Sequence, residues 1–161
     1  MNKYRWIIIT AAASVFFAAP AFSQQNELFL KGDLAGGEVI NLDDDTISAF
    51  RQNVIETETI WTSGQIQFSG PTLWDVLEHY DAGSGNIELT ALNDYSAVVA
   101  RSLITKEAPI IANRIDGAPF GPRHKGPYWI VFPYDSSPEY RNQVVYAASV
   151  WQLTSITVLK D

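Results

Sequence analysis

The chain has 161 residues, 11 basic against 18 acidic side chains, a net charge of −7 and no cysteine. At about 100 to 200 residues per domain it makes one domain, and with 47% hydrophobic and 18% charged residues it has the composition of a chain that buries a core. The acidic balance, with no extended basic patch, excludes nucleic acid as a partner; the missing cysteine excludes disulfides, thiolate nucleophiles, iron–sulfur clusters and cysteine-based zinc sites.

In chain order, Lys3 and Arg5 precede an apolar run from Trp6 to Ala19, and Ala21-Phe22-Ser23 offers a small-x-small cleavage site. Residues 1–23 therefore read as a signal peptide cut after Ser23, which makes the product periplasmic or secreted. The apolar run is shorter than the roughly 20 residues that span a bilayer and is interrupted by Pro20, so no stable membrane insertion is expected after cleavage. Taking 23 residues, including Lys3 and Arg5, from 161 leaves a single domain of 138 residues, 24–161, at a net charge of −9.

Glu27 to Lys31 and Glu38 to Leu42 flank Gly36-Gly37 and predict a hairpin, because glycine supplies the positive φ of a tight turn. Asp43, Asp44 and Asp45 then precede Ile47, Phe50 and Val54. Their carboxylates suit a helix start, so a short helix is expected over 46–52; a calcium loop would need a glycine and a terminal glutamate that are absent. Val54 to Ile60 alternates apolar and polar residues and predicts a strand paired with Gln65 to Ser69. Pro71 suits the first turn of a helix ending near Tyr80, with Leu73, Trp74, Val76 and Leu77 on its apolar face and Asp75, Glu78 and His79 on a solvated one. Asn86 to Leu92, Tyr95 to Ala100, Ile110 to Ile115, Trp129 to Phe132 and Ser155 to Leu159 read as further strands. The class is α+β, a strand-rich mixed sheet with short helices.

Nucleophile-elbow, phosphate-loop, dinucleotide and metalloprotease motifs are all missing. The two histidines, His79 and His124, are too few and too far apart for a histidine zinc site. Candidate binding groups concentrate instead in turns, the places from which a rigid scaffold presents them. These are Leu92-Asn93-Asp94-Tyr95-Ser96, Arg114-Ile115-Asp116-Gly117, and Arg123-His124-Lys125-Gly126-Pro127-Tyr128-Trp129. The last is the densest positive stretch of an acidic chain and points to an anionic or electron-rich small ligand.

Phe68-Ser69-Gly70-Pro71-Thr72-Leu73-Trp74-Asp75-Val76-Leu77, Ala91-Leu92-Asn93-Asp94-Tyr95-Ser96, the Gly117 turn, Lys125-Gly126-Pro127 and Phe132-Pro133 together resemble the molybdopterin-binding domain of the sulfite oxidase family. The resemblance runs from about residue 54 to 159 in the family's order and implies a compact mixed sheet with short helices. It also implies a cysteine ligand to molybdenum upstream of Phe68, around Thr59 to Thr62. This chain has none, and the hydroxyls of Thr59, Thr62 or Ser63 are poor substitutes for a soft thiolate. Trp129 stands where an arginine is expected after the Gly-Pro turn. A molybdenum cofactor is therefore not expected. The chain is similar instead to small, stand-alone, exported members of this fold that bind pterins and regulate membrane receptors controlling cyclic-di-GMP synthesis or breakdown. The alternatives are a molybdopterin-dependent oxidoreductase or its accessory subunit, and a structural domain that only binds another exported protein.

A pterin ring is flat and electron-poor, so it stacks on aromatic faces, while its 2-amino and N3 edge donates two parallel hydrogen bonds. Asp94 or Asp116 is the candidate acceptor for that edge. Arg114 and Arg123 are candidate donors to its carbonyl, with Lys125 a less directional one. Trp61, Tyr95, Tyr128 and Trp129 are candidate stacking faces, the Asn93-Asp94-Tyr95 turn a candidate contact, and His124 a candidate for a phosphate or sugar hydroxyl. Trp74 and Trp151 lie in apolar runs and are expected in the core. Tyr134 to Arg141 reads as a surface loop that closes over the pocket or meets a partner.

Overall fold

The computed structural model describes residues 27–161; the expected leader, 1–23, lies outside the described residues. No helix among them is long and apolar enough to cross a membrane. Strands β1 (Phe29–Gly32) and β2 (Ile40–Asn41) form the expected hairpin, with Leu30 opposite Ile40 and Gly37 at φ +64° in the connection. Leu28, Leu30 and Leu42 are buried completely on its inner side. The free edge of β1 takes a parallel partner from the far end of the chain, β10 (Leu153–Val158), with Leu30 opposite Ile156. β10 in turn pairs antiparallel with β5 (Ile87–Ala91), and β5 with β6 (Ser96–Val99). The five-stranded sheet thus runs β2-β1-β10-β5-β6.

A second sheet holds β3 (Asn53–Glu58) against β4 (Gln65–Gly70), register Asn53 opposite Gly70 through Glu58 opposite Gln65. The single strand expected over 110–115 is divided. β7 (Ile110–Ala112) pairs with β9 (Trp129–Val131), whereas β8 (Arg114–Ile115) pairs with β4. The change of partner falls at Asn113, whose buried amide donates to Asp44 and Ser48, both at 3.0 Å. Gly70 makes the crossing of β4 and β7 possible. A Cβ there would lie 1.9 Å from the carbonyl oxygen of Ile111, closer than any side chain tolerates.

The three α-helices among the described residues are short, and each begins on a side-chain cap. Helix α1 (Asp44–Ala49) starts two residues earlier than expected and stops before Phe50, because Asp43 is the residue that accepts from the Thr46 N–H, at 2.8 Å. Helix α2 (Leu73–His79) is capped by the Thr72 hydroxyl, so Pro71 precedes the cap and does not occupy the first turn. Asn142 caps α3 (Gln143–Ala148) by accepting from Val144 and Val145. The core is continuous, running from Leu28 and Leu30 through Phe68, Leu73 and Leu77 to Tyr128, Trp129 and Phe132.

Asp43→Ala is expected to cost about 1 kcal/mol of unfolding free energy through the lost cap, and Gly70→Ala about 1–3 kcal/mol or more through overpacking. Urea melts of the two variants check the order.

Candidate functional site

The β3–β4 connection, residues 59–64, carries Trp61 out to the surface of the second sheet. Its backbone is fixed locally. The Thr59 hydroxyl accepts from the Trp61 N–H at 3.1 Å and lies 2.8 Å from the Thr62 hydroxyl. The half-buried indole meets Trp151 at 5.5 Å, Tyr146 at 5.8 Å, Trp129 at 6.0 Å and Tyr134 at 6.2 Å between centroids, each ring turned edge to face. Edge-to-face packing of this kind is the favoured arrangement of aromatic quadrupoles. Burial pushes the Tyr134 hydroxyl up to about 12, against the lowering effect of its hydrogen bond to Ser149, so it stays a neutral donor.

Trp61 is shared by two clefts. One, of about 260 Å³, is lined by Trp61, Tyr95, Tyr146 and Trp151 with Asn93 and Ser149. The Tyr95 hydroxyl donates to the carbonyl of Ala147 at 3.1 Å and so ties the β5–β6 turn to α3 across this cleft. The other, of about 450 Å³, is lined by Trp61, Thr62, Phe120, Arg123, His124 and Lys125. A single 3-10 turn, Pro122–His124, presents the basic groups, and Lys125 closes it in the left-handed conformation at φ +69°. Gly126 follows because a Cβ there would lie 2.0 Å from the Phe120 carbonyl oxygen. The Lys125 ammonium sits 4.8 Å from the Trp151 ring centroid and 5.9 Å from that of Trp129. Among the described residues Arg123, His124 and Lys125 form no ion pair, although acids outnumber bases throughout the chain.

Of the residues singled out in the sequence, Trp61, Asn93 and Tyr95 meet in the aromatic cleft, and Arg123, His124 and Lys125 with Trp129 in the basic one. Trp129 is buried completely, so it is the floor beneath Trp61 and not an open stacking face. Asp94 occupies the left-handed apex of the β5–β6 turn beside Asn93 and lines neither cleft. Asp116 lies at the β8 turn, where its carboxylate accepts from the Gln67 N–H at 3.3 Å, outside both.

Arg114 is engaged elsewhere. Its guanidinium makes two parallel bonds of 2.7 Å to the Asp44 carboxylate, leaving it no free fork for a ligand carbonyl. Tyr128 is wholly buried and its hydroxyl has no partner among the described residues; burial first, and the nearby Asp44 carboxylate second, push its pKa far up. The sequence reading missed Tyr146 and Ser149 and placed Trp151 in the core, whereas Trp151 is a cleft wall with Lys125 over its ring. No local signal marks it, because the antiparallel bridge of Trp151 to Trp129 brings it there from 22 positions along the chain. The Tyr134–Arg141 segment lines neither cleft. Trp74, the other tryptophan expected in the core, is partly buried against it under the Arg101 guanidinium.

The implied metal does not fit this donor set. Where a thiolate would be required, the threonine hydroxyls are bonded to one another, and among the described residues no group of three His, Cys, Asp or Glu side chains is placed to hold an ion.

No protein-family model matches the chain, and no curated protein does. Its fold is similar to that of the sulfane dehydrogenase SoxCD from Paracoccus pantotrophus, with a TM-score of 0.63 at 9% identity over 88% of this chain. The chain spans 40% of the length of that protein. At this identity the likeness is one of fold, a strand-rich α+β architecture.

The Asp44–Arg114 pair gives a pH test of this placement. The Arg114 hydrogen bond holds the Asp44 carboxyl below its ordinary value, so the pair stabilises the fold at pH values above the usual carboxylate range of about 4 and loses its effect as pH falls through the lowered folded value. The stability gap between wild type and Asp44→Asn is expected to be constant from about pH 5 to 7 and to shrink below about pH 4, read by urea melts across that range.

Proposed function

We propose that this chain is an exported, non-catalytic binding protein for a pterin-type bicyclic heterocycle, and that its liganded state is read by the periplasmic part of a membrane receptor in cyclic-di-GMP control. The observation that carries the ligand is Trp61 standing between an aromatic cleft and an unpaired basic turn. Both volumes fall at or near the small end of the range of about 300–1,000 Å³ for ligand sites, which suits one fused ring with a short substituent.

Because the rings around Trp61 are inclined to it by 61–84°, a planar ligand stacks on one face and meets the others edge-on. Aromatic edges carry positive charge, so the walls favour a ring whose periphery bears nitrogen and oxygen lone pairs. Pterins have that periphery. Asn93, at the lip of the cleft, takes over the edge recognition first assigned to Asp94 or Asp116, since its amide both donates and accepts. Arg123 and Lys125 answer an anionic substituent on the far side of Trp61, with Arg123 the directional partner. The absence of a soft donor at Thr59 and Thr62 supports binding without redox chemistry. Export rests on the leader pattern, and the receptor on the family resemblance.

Titrating residues 24–161 with oxidised and reduced pterins, followed by tryptophan fluorescence and calorimetry, is expected to give saturable binding that Trp61→Ala weakens at least about tenfold, a loss of 1.4 kcal/mol. Arg123→Ala with Lys125→Ala is expected to weaken pterins with an anionic side chain more than the parent ring, by a salt-dependent margin. No binding up to about 100 µM would overturn the assignment. The fold likeness to a dehydrogenase favours one second reading, an oxidoreductase or its accessory subunit. Electron transfer to an artificial acceptor by protein from a molybdenum-competent host would establish that reading instead.

A further inference from the structure

The strap between Tyr134 and Asn142 lines neither cleft, yet its carboxylate reaches the segment that carries Trp61. One oxygen of Asp135 accepts from the Glu58 N–H at 2.6 Å and from the Thr57 hydroxyl at 3.2 Å, and the Thr57 oxygen is in turn 3.2 Å from the Asp135 N–H. The other oxygen is held by the Arg141 guanidinium, whose Nε donates to the Tyr134 carbonyl at 2.8 Å. Thr57 is fully buried. The Glu58 N–H above all, and then Arg141 and Thr57, hold the Asp135 carboxyl below the usual carboxylate range, so it is the ionised acceptor at neutral pH.

The two sides of this clip lead to two adjoining walls of the aromatic cleft. On one side β3 ends at Glu58, and the next residue, Thr59, fixes the Trp61 N–H. On the other the strap ends at Asn142, the cap of α3, which carries Tyr146 and Ala147. These walls lie far apart in the chain, and the clip spans 77 positions. We propose that Asp135 is the positioning residue of the aromatic cleft, setting the separation of Trp61 from Tyr146 by fastening the strap before α3 to the end of β3. The consequence for binding rests on the assignment of this cleft as the ligand site, so geometry and binding are read separately.

The experiment uses residues 24–161 as wild type, Asp135→Ala, Asp135→Asn and Thr57→Val. Without ligand, indole N–H resonances and amide exchange are followed by NMR; with ligand, a pterin is titrated. Asp135→Ala is expected to move the Trp61 indole resonance and lower protection of the Trp61 and Tyr146 amides about tenfold, the loss of one charge-assisted hydrogen bond, while the β1, β10 and β5 amides are unchanged. Asp135→Asn keeps an oxygen for the Glu58 N–H and is expected to retain most of the wild-type behaviour, with pterin affinity following the same order. Should Asp135→Ala fail to fold, Thr57→Val removes only the hydroxyl arm of the clip and is expected to move the Trp61 resonance in the same direction by a smaller amount, an unchanged resonance there overturning the proposal.

Unchanged Trp61 signals in ligand-free Asp135→Ala, or protection lost equally across the central sheet, would overturn the positioning role even if pterin binds. Failure of wild type to bind, with the ligand-free changes present, would overturn the ligand assignment and leave the clip standing.

Discussion

The indole of Trp129 is sealed from solvent, and the surroundings of the candidate site are arranged around it. Phe68 packs against it at 5.3 Å, Trp61 at 6.0 Å and Trp151 at 6.3 Å, while its ring nitrogen donates to the Ser149 carbonyl at 3.2 Å. Removing a buried ring of this size costs about 3–5 kcal/mol, a large part of the stability of a small domain. The same ring brings together β4, β9, the 59–64 turn and the chain before β10. Trp61 and Trp151 are the tryptophans that this packing leaves half-buried at the surface, and Trp61 has a cleft on each side.

Electrostatics then separates the two sides. In a chain where acids outnumber bases, the three described ion pairs engage Arg101, Arg114 and Arg141. The basic turn of Arg123, His124 and Lys125 stands outside them, and Lys125 rests on aromatic faces in place of a carboxylate. A lysine so placed keeps its charge available to a ligand. The opposite cleft has no charged wall, and its polar groups are an amide and hydroxyls. An aromatic body with an electron-rich rim meets both conditions, whereas a free metal ion meets neither.

Local patterning made much of this legible. The glycine pair of the first hairpin, the alternation in β3 and the aspartate before α1 each act within a few residues, and each element forms where expected, within three residues at its ends. The parallel pairing of β1 with β10 joins the two ends of the described chain and leaves no mark in either segment. The division of 110–115 depends on Asn113 finding Asp44 and Ser48, more than 60 positions away. The site follows the same rule. Basic and aromatic residues clustered in one turn were recognisable, but Arg114 looked free because its partner Asp44 is 70 positions distant, and Trp151 looked like core because an apolar run does not say which ring ends at the surface.

The proposed reading separates holding a heterocycle from fastening a metal through it. The most direct test is to isolate the protein from its native compartment, denature it and identify the released small molecule by mass spectrometry with metal analysis. A pterin without molybdenum is the expected result. Stoichiometric molybdenum, or no heterocycle at all, would contradict it.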